Sequence, residues 1–174
     1  MVRRKLVRTR AHWALSLVKV ENAPVPVETI ARIAGVKVQK VPTDDELSGF
    51  LYRDIKHDTS IIGINANHSR NRQNFTLAHE LGHFFLHKFE DVHVDRSFRI
   101  KLRSQVSSDG TDVEEIEANL FAAELLMPNY MLESDIEEFD GVDDDESIAD
   151  LANKYGVSTQ AMMFRLAYLG YISI

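Results

Sequence analysis

The stretch "FTLAHELGHFFLH", from Phe75 to His87, constrains this chain more than any other. It has the apolar content of a buried helix, yet it carries three histidines and a glutamate. Residues four apart on a helix lie on one face, a turn apart. His79 and His83 therefore aim their imidazoles at a common point, and Glu80 reaches the same region from the side. Burying such groups without partners costs several kcal/mol, and a bound cation removes that cost. Two neutral imidazoles with an adjacent carboxylate to handle protons make the H-E-x-x-H arrangement of a zinc hydrolase. The pattern arises by chance in roughly one chain of this length in a few hundred, so the apolar flanks add needed weight against two ordinary core histidines. Gly82 weakens the helix by ~1 kcal/mol relative to alanine. Its presence implies that another backbone or a ligand comes close there.

A catalytic zinc takes three protein ligands and leaves one position open. The chain has no cysteine, which excludes disulfides, thiolate sites and thiol catalysis. Any metal must therefore sit on His, Asp or Glu. His87 lies ~12 Å from His79 along a helix axis, too far to share an ion, and reads as a helix-end residue facing the dipole. The extended pattern H-E-x-x-H-x-x-G-x-x-H fails, because position 86 is Leu and position 89 is Phe. His12, His57, His68 and His93 have no partner spacing and read as ordinary polar positions. The third ligand is expected from a second helix, "DVEEIEANLFAAELLMP", whose apolar face is read as Ile116, Leu120, Ala123 and Met127. Glu117 and Glu124, seven apart, both border that stripe, and spacing leaves the choice open. Glu114 and Glu115 read as exposed helix glutamates.

The remaining pattern predicts an α+β fold. A helix is expected over about Arg10 to Glu21, and "VETIARIAG" gives a short helix stopped by Gly35. "VKVQKV" alternates as a strand, and "SGFLYR" and "SIIGINA" form two more, joined as a hairpin through "DIKHDT". A small sheet of about three strands thus packs on the motif helix, expected from about Arg70 to His87, and on the second helix, about Asp112 to Met127. Phe89 to Gly110 has no clear period and reads as an irregular excursion. Residues 133–150 hold ten acidic and no basic residues, a solvated connection or polar helix face. The closing "LANKYGVSTQAMMFRLAYLG" resembles the turn of a helix-turn-helix unit, with Ser158 as N-cap of its second helix. Arg165 is the one basic residue of that helix, and phosphate contacts need Lys and Arg. The segment therefore reads as a helical hairpin that packs on the rest or grips a protein.

With 174 residues and 44% hydrophobic content, the chain is long enough for one domain with an appendage. The division expected is a first part over 1–131 and a C-terminal helical subdomain over 132–174. The net charge of -7 disfavours direct nucleic-acid binding. The basic start, Arg3, Arg4, Lys5, Arg8 and Arg10, reads as solvated. His12, Ser16 and Lys19 interrupt any signal-like apolar run, and no run reaches the ~18 residues of a membrane span. A cytoplasmic protein with no membrane partner is expected.

"NFTLAHELGHFFLH" followed by "EIEANLFAAELLMP" resembles the ImmA/IrrE family of zinc-dependent metallopeptidases, and "GFLYR" with "SIIGINANHSRNRQ" is similar to the hairpin preceding its motif helix. The resemblance covers about Val27 to Met131. It implies a zincin-like, gluzincin-type arrangement with one catalytic Zn2+. By position, His79 and His83 match the zinc-binding histidines, Glu80 the catalytic glutamate, and Glu117 the third ligand. Glu124 then becomes a neighbour, and Asn119 a candidate for a supporting hydrogen bond. The family further implies cleavage of a helix-turn-helix repressor as protein substrate. The alternative is a non-proteolytic, metal-stabilised regulator that binds a repressor or DNA. A cysteine switch, used by some members, is impossible here in cis. His/His/Glu suits zinc, with iron and manganese as alternatives. Tyr52, His57, Tyr130 and Arg72 are equal candidates for an oxyanion donor, and the strand Gly49 to Arg53 is a candidate for pairing with extended substrate.

Overall fold

The structure, a computed structural model, describes residues 1–87, 92–96, 109–138, 142 and 144–173. In chain order these form α1 (Arg4–Ser16), α2 (Val27–Ile33), β1 (Val36–Val41), β2 (Leu47–Asp54), β3 (Thr59–Asn65), α3 (Arg70–Leu86), β4 (Val92–Arg96), α4 (Asp109–Leu126), α5 (Asn129–Glu138), α6 (Asp145–Tyr155) and α7 (Thr159–Leu169). The expected α+β architecture is present. The sheet carries one strand more than expected, in the order β1-β3-β2-β4. The extra strand lies in the stretch read as irregular, Phe89 to Gly110, of which 89–91 and 97–108 are outside the described residues while Asp109 and Gly110 open α4. Its five residues are too few for a period to show.

β2 and β3 form the expected antiparallel hairpin, with Leu51 opposite Ile62 and Gly49 opposite Ile64. β1 runs parallel to β3, and β4 pairs antiparallel with β2. β2 therefore has neighbours on both sides from Gly49 to Tyr52, so that part of the Gly49–Arg53 stretch has no free edge for substrate. Leu51, Ile62, Ile64 and Val36 turn into a common core with Leu77, Ala78 and Leu81 of α3.

α3 begins at Ser69, whose hydroxyl accepts from the Arg72 amide, the usual way a serine satisfies a first-turn N–H. Two contacts fix this helix against its neighbours. At Gly49 of β2, a Cβ would lie 2.5 Å from Thr76 Cγ2, 2.8 Å from the Gly63 carbonyl and 3.7 Å from Glu80 Cγ. At Gly82 of α3, a Cβ would meet Ala118 Cα at 3.0 Å and its carbonyl oxygen at 3.1 Å. That close crossing with α4 is the reason for a glycine in mid-helix.

The first helix starts six residues earlier than its expected start at Arg10 and buries Val7, Ala11, Ala14 and Leu15. Trp13 of this helix is 45% exposed. α4 also differs from the expected face. Ile116 is 49% exposed, while Ala118, Phe121, Ala122 and Leu125 are fully buried. α4 lies against both α3 and α1, so it has two buried sides, and a single apolar stripe is the wrong description of it.

The C-terminal segment forms α5 and then the hairpin of α6 and α7. Gly156 ends α6 in a left-handed conformation at φ 65°, which glycine adopts without a Cβ penalty. Ser158 caps α7 by accepting from the Ala161 amide, as expected. The turn is tied to the motif helix: Asn71 Nδ2 donates to the Val157 carbonyl and Asn74 Nδ2 to that of Gly156. Leu132, Leu151, Tyr155 and Leu166 join the same core cluster as the sheet and α3. Among the described residues, no helix is long and apolar enough to cross a membrane.

Candidate metal centre

The site lies where α3 crosses α4. Helical spacing brings the His79 and His83 Nε2 atoms to 3.1 Å. Glu115 of α4 completes the group, with Oε2 3.6 Å from His79 Nε2 and Oε1 3.5 Å from His83 Nε2. One donor atom from each of the three residues lies within 4.8 Å of the other two. Bonds of about 2.0–2.1 Å at tetrahedral angles hold ligand atoms about 3.3 Å apart, so the spacing fits an ion of that kind. Nitrogen and carboxylate oxygen are also the right chemistry for zinc in a cysteine-free chain.

The outer ring nitrogens decide the charge state that faces the centre. His79 Nδ1 is 2.9 Å from Asn119 Oδ1. A carbonyl oxygen only accepts, so Nδ1 carries the proton and Nε2 offers a lone pair. His83 Nδ1 is 3.0 Å from His87 Nδ1, and His87 Nε2 is 3.1 Å from Glu117 Oε2. Burial pushes the His87 pKa down, against the opposing pull of Glu117, and the carboxylate oxygen, which only accepts, calls for a proton on the ring nitrogen that faces it. That proton sits on Nε2, donating to the carboxylate. His87 Nδ1 therefore accepts from His83 Nδ1, and His83 also turns a lone pair inward. Two lone pairs and a carboxylate at these distances repel one another unless a cation lies between them.

The site residues expected from sequence divide into two groups. The structure brings His79 and His83 together, and it places Asn119 as a hydrogen-bond partner of His79. Glu80, on the turn between the two histidines, is fully buried and lies beside Gly49. Glu117 is not at the imidazole pair. It faces α1, where its carboxylate receives Nε and Nη2 of Arg3 and the Arg3 backbone amide, the last at 2.6 Å. These bonds, opposed by burial and helped by His87, pull its carboxyl down to about 2. Glu124 lies on that same side, in a bidentate pair with Arg165 at 3.1 and 2.8 Å and 3.3 Å from Arg8 Nε. Burial raises its pKa, but Arg165 and Arg8 outweigh burial and leave it below the ordinary value.

Glu115, read from sequence as an exposed helix glutamate, takes the place expected for Glu117. The physical reason is the helix repeat. Glu115 and Asn119 are four apart and share one side, whereas Glu117 is turned about 200° from Glu115. Glu117 and Glu124, seven apart, share the other. The one signal in the sequence is that Glu115 and Asn119 are four apart, the same spacing as His79 and His83. His87, read as a helix-end residue, is instead a buried link between His83 and Glu117. Arg53 of β2 was also missed. Its Nη2 donates to the His83 and Phe84 carbonyls at 3.1 and 2.6 Å, holding the end of the motif helix. Of the candidate oxyanion donors, Arg72 donates to Ser48 Oγ and His57 pairs with Asp54 in the β2–β3 turn.

Comparison with known proteins agrees with this geometry. Residues 31–167 match the model of a peptidase family described as the IrrE N-terminal-like domain. The chain belongs to that family. It is also similar to the metallopeptidase ImmA of Bacillus subtilis (strain 168), 30% identical over 132 residues, which are 74% of this chain and 68% of the relative. Both findings make it a metallopeptidase of the ImmA/IrrE type, as the motifs implied. Among solved structures, a Mycobacterium tuberculosis transcriptional regulator shares the fold, with a TM-score of 0.59 and 13% identity. That likeness covers 92% of this chain and 46% of the other, so this chain spans less than half of that protein's length. The family match continues past the site through α5 and α6 into α7.

Proposed function

We propose that this chain is a zinc-dependent endopeptidase of narrow specificity that cleaves a helix-turn-helix repressor in the cytoplasm and so relieves repression. The hydrolytic part is supported by one observation above others: His79, His83 and Glu115 converge with lone pairs and a carboxylate toward one point. A zinc ion there would act as Lewis acid toward a water and the scissile carbonyl. Asn119 and His87 hold the two imidazoles by their outer nitrogens, so that both inner nitrogens are available as ligands. Glu80 is the general base, taking a proton from the attacking water and delivering it to the leaving amine. Burial of Glu80 beside Gly49 keeps bulk water from its carboxylate.

The regulatory part rests on the family resemblance. The C-terminal part, 132–174, is assigned to gripping the protein substrate, and 1–131 to the chemistry. Direct DNA reading by α7 is disfavoured, because Arg165 is 2% exposed and its guanidinium is committed to Glu124 and the Met127 carbonyl. The test is a search for new protein N-termini in host cells expressing wild type or Glu80→Gln. One new terminus in a transcriptional repressor, absent with the variant, is the expected result. Identical sets, with both proteins folded and metal-loaded, would favour a regulator that binds without cutting.

A further inference from the structure

We propose that Arg3, Glu117 and His87 form a positioning relay that fixes His83 in the one tautomer able to bind a metal. The inference rests on the metallopeptidase reading of the same centre and assigns it three supporting residues. The chain of contacts is continuous. Arg3 Nη2 meets Glu117 Oε2 at 2.6 Å, Glu117 Oε2 meets His87 Nε2 at 3.1 Å, and His87 Nδ1 meets His83 Nδ1 at 3.0 Å. Each link sets the next. With a carboxylate accepting at Nε2, His87 keeps its proton there and leaves Nδ1 as an acceptor. His83 must then protonate Nδ1, and its Nε2 faces the centre bare. If the carboxylate were removed, His87 could carry its proton on Nδ1. His83 would then be free to hold its own proton on Nε2, where it blocks a ligand bond.

Arg3 matters because Glu117 is fully buried. Without Arg3 its carboxylate would turn toward another donor. Arg3 supplies three donors to it, two from the guanidinium and one from the backbone amide just before α1. The N-terminal residues are thereby part of the support of a ligand eighty residues away in sequence. Support of this kind differs from that of the neighbouring pair, Arg8 and Glu124 at 3.3 Å, which joins the same two helices. That pair leads to Arg165 and to neither imidazole.

The contrast gives the experiment. Arg3→Ala, Arg3→Lys, Glu117→Ala and, as the reference, Arg8→Ala are compared with the wild-type chain. Zinc affinity is read by competition with a chromophoric chelator. The ring-nitrogen protonation of His83 is read by 15N NMR on the metal-free proteins. Arg3→Ala and Glu117→Ala are expected to weaken zinc binding about 10- to 100-fold and to give mixed His83 tautomers. Arg3→Lys should restore part of both, and Arg8→Ala should change neither. If Arg3→Ala and Glu117→Ala lower Tm as Arg8→Ala does but leave affinity and tautomer as in wild type, the relay is refuted. Should Glu117→Ala fail to fold, Arg3→Ala and Arg3→Lys decide the matter alone. A wild-type chain that binds no zinc would sink the metallopeptidase reading, while the His83 tautomer in the metal-free chain would still decide the relay.

Discussion

The two sides of α4 carry the same chemistry to different ends. Toward α3 it presents Glu115 and Asn119 to imidazoles. Toward α1 and α7 it presents Glu117 and Glu124 to arginines. On the second side the carboxylates are neutralised by residues of the chain itself. On the first, Glu115 faces the inner nitrogens of His79 and His83 at 3.6 and 3.5 Å, the donor set that would hold a cation. Burial of a carboxylate therefore says little about function. The charge of what it faces says much.

Breaking the first side should show in chemistry. Glu80→Gln is expected to lower cleavage by about 100- to 10,000-fold while leaving bound zinc unchanged, as read by substrate turnover beside metal content. Breaking the second side should show in stability. Glu124→Ala strands Arg165, whose side chain is 1% exposed, and removal of one partner from a buried pair costs about 3–5 kcal/mol. Urea unfolding should report that loss, and the zinc affinity of the folded variant should match wild type. An altered affinity would mean that Glu124, like Glu117, acts on the metal centre.

The junction of α3 and α4 supplies a smaller effect. Gly82→Ala gains helix propensity but drives a Cβ against Ala118 backbone atoms at 3.0–3.1 Å. Backbone cannot yield as a side-chain tip can, so a net destabilisation of about 1 kcal/mol is expected in the same unfolding assay. The smallest effect is in pH. The Glu117 carboxyl, ordinarily at 4.5, is held at about 2 by Arg3 in the folded chain. A depressed folded pKa means that its contribution is whole above the ordinary value and fades as pH falls toward 2. The stability difference between wild type and Glu117→Gln should therefore shrink across that window and be flat above it.

The sequence carried the motif helix, the β2–β3 hairpin, β1, the capped turn at Ser158 and the need for close approach at Gly82. These features rest on local rules: period, caps and turn residues. What it did not carry depends on pairing between distant segments. α4 is buried on two sides, so its periodicity had no single answer, and Glu115 was read as solvent-facing for lack of any way to know that α3 lay there. Arg3 and Arg8 look like a solvated basic start until α4 is placed beside them. β4 is too short for its alternation to be seen, and β2 read as an open strand only while β4 was missing.

The claim that Glu115, and not Glu117, completes the metal centre is tested most directly by zinc affinity in two variants. On the proposed reading, Glu115→Ala removes a ligand and Glu117→Ala removes a support. The account predicts that Glu115→Ala abolishes tight binding, while Glu117→Ala retains it with a loss of about 10- to 100-fold. Tight binding in Glu115→Ala together with none in a folded Glu117→Ala would contradict it.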